Sequence, residues 1–160
     1  MKLTTKGRYA VMAMADLALF KDNGPTSLND ISLRQNISLS YLEQIFIKLK
    51  NKNLVKSTRG AKGGYVLEKP ANDIKISNII SAVDEEVKML NCKKESKKGC
   101  NNKSTKCITH NLWMSLNSKI LNYLDGLSLE DLINSQNADD KPITFNSISK
   151  NNKDVRLGIV

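Results

Sequence analysis

The chain has 160 residues, 40% of them hydrophobic, and a net charge of +9. That length suits one compact domain with an accessory element. The most apolar run, residues 9–20, is short and interrupted by Asp16, which argues against a membrane-spanning helix. The N-terminus lacks the hydrophobic region of a signal peptide, so a cytoplasmic protein with reduced thiols and no membrane partner is expected.

The charge is uneven. Residues 1–62 carry 11 Lys/Arg against 4 Asp/Glu, whereas residues 63–90 carry 3 against 5. From Lys48 to Lys62 the bases Lys50, Lys52, Lys56 and Arg59 intervene without an acid. Such a run can neutralise nucleic-acid phosphates, or it can be a solvated cationic face.

In chain order, Thr4 or Thr5 caps a helix to about Phe20, with Ala10, Ala13, Leu17 and Phe20 on one side. Asn23-Gly24-Pro25 breaks it. Ser27 with Asp30 three residues on is a capping box for a short second helix, whose Leu28, Ile31 and Leu33 face inward. A turn follows at residues 35–38, where Asn36 tolerates a left-handed conformation. A third helix runs from about Leu39 to Lys52, with Leu39, Leu42, Phe46 and Leu49 inward and Ile45 alongside. Two helices about a tight turn read as a helix-turn-helix. Residues 54–58 and 64–68 read as strands around a basic, glycine-rich tip, "RGAKGG", which makes the motif winged. That tip is not a phosphate loop: it matches neither GxxxxGK[ST] nor GxGxxG and leads into a strand.

A fourth helix starts near Ser77, with Ile79, Ile80 and Val83 inward. Residues 107–126 read as one long helix carrying Ile108, Leu112, Leu116, Ile120, Tyr123 and Leu127, widened by Trp113, Leu121 and Leu124. That is more apolar surface than a lone helix hides; pairing with its twin in a homodimer would bury it, and packing within its own chain is the alternative. Ser128 and Asp131 cap a last short helix, and the polar tail is expected to be mobile. The fold class is therefore mainly α with a small β-wing: a winged helix-turn-helix domain at 1–88, a metal-binding loop at 89–110, a dimerisation helix and short C-terminal helix at 107–136, and a tail at 137–160.

In such a motif the third helix enters the major groove of double-stranded DNA. Ser38, Ser40, Tyr41, Glu43 and Gln44 project near its start. Gln44 can pair bidentately with adenine and Glu43 can accept from cytosine; Glu43 could instead be the capping partner of Ser40. Arg59 at the wing tip suits a narrow minor groove. Lys6, Arg8 and Lys62 are candidate phosphate contacts.

All three cysteines and the one histidine fall within residues 92–110, as Cys92-x7-Cys100-x6-Cys107-x2-His110. Reduced, clustered thiols in an odd number point to a metal rather than a disulfide framework. Cys107 and His110, at i and i+3, share a helix face. Three thiolates and an imidazole suit tetrahedral zinc, and four ligands also satisfy a [2Fe–2S] cluster; spacing alone leans to zinc. Against the formal charge of a [2Fe–2S] core, three thiolates leave a net negative charge, which Lys93, Lys94, Lys97, Lys98, Lys103 and Lys106 surround, although a soluble loop surface accounts equally for these lysines. With the one histidine in this set, hydrolytic catalysis is poorly supported, so neither an enzyme nor a small-molecule substrate is expected.

"LTTKGRYAVMAMADLAL", "ISLSYLEQIFIKLK", "VKSTRGAKGGY" and "ISAVDEEV", followed by three cysteines and "THNLW", resemble the IscR family of bacterial winged-helix regulators, the iron–sulfur cluster regulators. The resemblance spans about residues 1–135. It implies a homodimeric repressor and activator with one [2Fe–2S] cluster per subunit, held by Cys92, Cys100, Cys107 and His110. It also implies DNA contacts at Ser40, Tyr41, Glu43, Gln44 and Arg59, and control of cluster-biogenesis genes. In the family, the cluster-free form binds a second class of operators, and Glu43 matches the carboxylate that helps separate the two classes. The intervals between the first three ligands are longer here than in the family's pattern, and a loop absorbs that at small entropic cost.

Overall fold

The structure is a computed structural model that describes residues 4–60, 62–84 and 107–135. Helix α1 spans Thr5–Leu19 and presents Ala10, Ala13, Met14 and Leu17 to the core at 2% exposure or less. Small alanines let neighbouring elements approach this helix closely. Helix α2 (Leu28–Gln35) starts as the capping box requires: the Ser27 hydroxyl accepts from the Asp30 amide at 3.1 Å. Asn36 ends it in the left-handed region, at φ 52°. Helix α3 (Leu39–Asn51) buries Leu42, Ile45, Phe46 and Leu49 completely.

Two of the expected inward residues point elsewhere. Leu33 is 74% exposed and Leu39 is 40% exposed. Leu39 is the first residue of α3, at the margin of its inner face, and Ile45 fills the central position instead.

Strands β1 (Val55–Thr58) and β2 (Gly64–Leu67) pair antiparallel, with Val55 opposite Leu67 and Thr58 opposite Gly64. A bridge from Thr26 to Tyr65 adds an outer rung, which fastens the α1–α2 connection to the wing. Gly64 permits that rung: a Cβ there would lie 2.4 Å from the Thr26 carbonyl oxygen. The Phe46 ring meets Tyr65 edge-on at 4.8 Å, so α3 and the wing share one core.

Helix α4 (Ile76–Ala82) follows a short 3-10 turn at Ala71–Asp73 and buries Ile79, Ile80 and Val83 just beyond its end. Helix α5 (His110–Gly126) is the long one, and α6 (Leu129–Ser135) closes the described chain. The peptide between α5 and α6 returns to the core. Ile76 donates to the Leu127 carbonyl at 3.0 Å and Leu129 to the Ile74 carbonyl at 2.8 Å, while Leu127 and Leu129 are buried. α6 packs on α1. No helix among the described residues is long and apolar enough to cross a membrane.

Candidate nucleic-acid interface and metal centre

The buried stripe of α3 fixes what its other side offers. Ser38 takes the N-cap position without a side-chain capping bond, and Ser40, Glu43 and Gln44 are exposed. Because Ser38 is the cap, Ser40 lies inside the first turn, and the alternative role of Glu43 as its capping partner falls away. Tyr41 differs from expectation. It is half-buried, with its ring edge-on to Tyr9 of α1 at 5.8 Å, so it braces the two helices instead of projecting with its neighbours.

A polar cluster that the sequence reading missed sets the angle between α1 and α2. Asp16 is buried, and Arg34 donates to both of its carboxylate oxygens at 2.7 and 3.0 Å. Gln35 adds a third bond at 2.8 Å. The hydrogen bond to Asp16 raises the pKa of the Arg34 guanidinium, which also lies 4.2 Å over the Phe20 ring. The signal was present in the sequence: an acid inside "MAMADLAL" needs a buried partner. Which base supplies it depends on tertiary packing.

The wing tip carries Arg59 and Lys62, both exposed. Gly60 has φ 121°, and a Cβ on Gly63 would lie 2.6 Å from the Thr58 carbonyl oxygen, so the tip requires glycine at both positions. On α1, Arg8 is exposed and Lys6 is half-buried.

Lys48, near the end of α3, pairs with Asp84, the last described residue before residues 85–106. Asp84 has φ 57°, an uncommon conformation for a non-glycine residue. Its carboxyl is held below the usual carboxylate range, first by the Lys48 hydrogen bond and charge and then by the charges of Lys6 and Lys52. The same bond raises the pKa of Lys48.

Of the four expected metal ligands, Cys92 and Cys100 lie outside the described residues. Cys107 and His110 are brought together: the His110 amide donates to the Cys107 carbonyl at 3.0 Å, closing one turn. Both residues are half-buried. Helix α5 begins at His110, not Cys107, with Thr109 as cap; the Thr109 hydroxyl lies 3.7 Å from the Cys107 sulfur. A thiol and an imidazole at one turn are soft and borderline donors of the kind a cluster or zinc takes, so the two described donors fit such a group.

No residue of α5 is buried. Leu112 is 60% exposed, Trp113 38% and Leu121 41%. Ile108, expected in the same stripe, precedes the helix and is fully exposed. Its far end docks, where Tyr123 and Leu124 touch the core and Ser77 donates to Asp125 at 2.7 Å.

Residues 3–135 match the family model Rrf2, described as an iron-dependent transcriptional regulator. The chain belongs to the Rrf2 family. Among its Rrf2 relatives, the HTH-type transcriptional regulator IscR of Aliivibrio salmonicida is 53% identical over 133 residues, covering 83% of this chain and 77% of the relative. IscR of Pectobacterium carotovorum is 48% identical over 136 residues, covering 85% and 81%. Of solved structures, IscR of T. potens superposes with a TM-score of 0.71 at 33% identity, covering 92% of this chain and 96% of that one. CymR, the global cysteine regulator of B. subtilis, superposes at 0.72 with 34% identity, covering 84% and 98%. The winged-helix assignment and the resemblance to IscR are thereby borne out. The chain is a DNA-binding transcription regulator, not an enzyme.

Proposed function

We propose that this regulator is a cytoplasmic homodimer that senses iron–sulfur cluster status through a [2Fe–2S] cluster and controls cluster-biogenesis genes. The observation that carries the reading is the turn joining Cys107 to His110 at the foot of α5, a helix on which Leu112, Trp113 and Leu121 stay exposed among the described residues. Metal donors and dimer seam would thus be consecutive along the chain.

Cys92, Cys100, Cys107 and His110 would hold the cluster, within a loop at 89–110. When bound, the cluster supplies an iron–sulfide core whose presence and oxidation state follow cellular supply and redox conditions. Leu112, Trp113 and Leu121 would meet their counterparts across a two-fold axis, with the dimerisation segment spanning 107–136. Residues 1–88 would form the reading unit. Ser38, Ser40, Glu43 and Gln44 would face base edges in the major groove, with Tyr41 at their flank. Arg59 would enter the minor groove, and Lys6, Arg8 and Lys62 would lie along phosphates. Two half-sites about 34 Å apart would follow from the two-fold axis.

The Lys48–Asp84 pair supports a route between the two functions, since it ties α3 to the residue from which the chain departs toward Cys92. A cluster held by Cys92, Cys100, Cys107 and His110 would bias this pair, and with it the seating of α3.

Purification without oxygen, followed by iron, sulfide and zinc analysis, tests the assignment. About two irons and two sulfides per chain with visible absorption are expected. A colourless protein with about one zinc per chain would replace cluster sensing by a zinc-stabilised repressor.

A further inference from the structure

Ile47 is 59% exposed, although it lies in the middle of α3. At 3.6 residues per turn it sits across the helix from Leu42 and Leu49, which are fully buried. It is one turn beyond Glu43 and Gln44, two beyond Ser40, and one before Asn51. Those four residues and Lys50 are exposed, so Ile47 extends no apolar patch along the helix. Burial does not explain it, and a β-branched side chain at a solvent-facing helix position is disfavoured relative to lysine or glutamate.

The rest of this face offers hydrogen-bonding groups. A branched aliphatic side chain at its centre has one complement on base edges in the major groove, the C5-methyl group of thymine. We propose that Ile47 is a specificity-determining residue that contacts a thymine methyl in each half-site. The inference rests on the operator-reading role given to α3 and deepens it. With a rise of about 1.5 Å per residue, Ile47 lies roughly 4.5–6 Å beyond Gln44 and Glu43 along the helix axis. The thymine should therefore sit one or two base pairs, at about 3.4 Å each, from those these residues read.

The test begins with an operator selected from random duplexes by the wild-type protein. Each thymine is then replaced in turn by deoxyuridine, which removes the methyl group and leaves the hydrogen-bonding edge unchanged. Wild type and Ile47→Ala are titrated against this panel at fixed salt, with helix content checked by circular dichroism. Wild type should lose about fourfold in affinity at one symmetry-related position, the worth of a buried methyl group. Ile47→Ala should bind the thymine and uracil forms of that position equally, with unchanged affinity for random-sequence DNA.

A wild type that binds its operator but ignores every uracil overturns the inference while leaving the reading role of α3 standing. An Ile47→Ala protein that keeps the full uracil penalty assigns the methyl to another side chain and also overturns it. Unchanged operator affinity in Ile47→Ala hands the residue to a protein partner. Failure to select any duplex removes the inference together with the DNA-reading role.

Discussion

Helices α3 and α5 both carry apolar side chains at helical spacing, yet among the described residues the α3 stripe is fully buried and the α5 stripe is at most half-buried. Leu42, Ile45, Phe46 and Leu49 of α3 are sealed under α1, α4 and the wing, whereas none of the seventeen residues of α5 is buried. Folding within one chain therefore fixes the helix proposed to face DNA. The helix beside the proposed metal donors is held, among the described residues, at its far end. A rigid reader and an incompletely packed second helix would suit the proposed regulator, whose signal would act at the subunit seam.

Breaking α3 should have the largest effect. Phe46→Ala removes a fully buried ring that touches Tyr65 and should cost about 3–5 kcal/mol of stability in denaturant titration. A loss below about 1 kcal/mol would mean that α3 is not anchored as described. The corresponding change in α5 should spare the fold and act on assembly. Trp113→Ala should weaken the dimer by about 2–4 kcal/mol in sedimentation equilibrium, as truncating a central aromatic anchor does. Unfolding of the winged domain should stay nearly unchanged. Undiminished dimerisation would put the subunit seam elsewhere.

Much of this contrast was legible in the sequence. The helices of the reading unit follow from residue spacing, and the Ser27 cap, the left-handed Asn36 and the glycine tip each behave as their side chains dictate. Period alone could not tell that Leu39 is exposed, because it lies at the margin of its stripe, where neighbouring elements decide; Leu33, about 200° around α2 from the buried Ile31, was assigned inward against the helical period. The Asp16–Arg34–Gln35 cluster joins residues 18 and 19 positions apart, and the Lys48–Asp84 pair joins residues 36 apart. Such pairings come from tertiary packing, which local pattern does not encode. Leu127, expected in the α5 stripe, turns with Leu129 into the core instead, because the peptide joining α5 to α6 pairs with Ile74 and Ile76, a tertiary contact that helical period does not encode. The tail at 137–160 lies outside the described residues, as do Cys92 and Cys100.

A smaller effect belongs to the joint where α5 meets α6. Asp131 accepts from the Ser128 hydroxyl at 2.6 Å and from its amide at 2.9 Å, and these bonds hold its carboxyl below the usual carboxylate range. A carboxylate whose folded value lies below its unfolded value stabilises fully above about pH 4. That contribution fades as the pH falls through the folded value. Ser128→Ala should cost about 1 kcal/mol at neutral pH. The penalty should shrink below pH 4, as measured by thermal melts across that range; a pH-independent penalty would contradict the cap.

The smallest change in stability is expected at Lys48→Met, because the pair with Asp84 is exposed and screened by solvent. Its melting temperature should match wild type. Its operator binding should lose the difference between cluster-loaded and cluster-free protein, and a preserved difference would remove Lys48 from the route.

The most direct test of the central claim sets operator affinities of cluster-loaded wild type, cluster-free wild type and Cys92→Ala side by side, without oxygen and at one salt concentration. The account predicts at least one operator bound tightly only by the loaded protein, with Cys92→Ala matching the cluster-free form on every operator. Identical affinities for all three proteins across all operators would leave a DNA-reading dimer with no sensor.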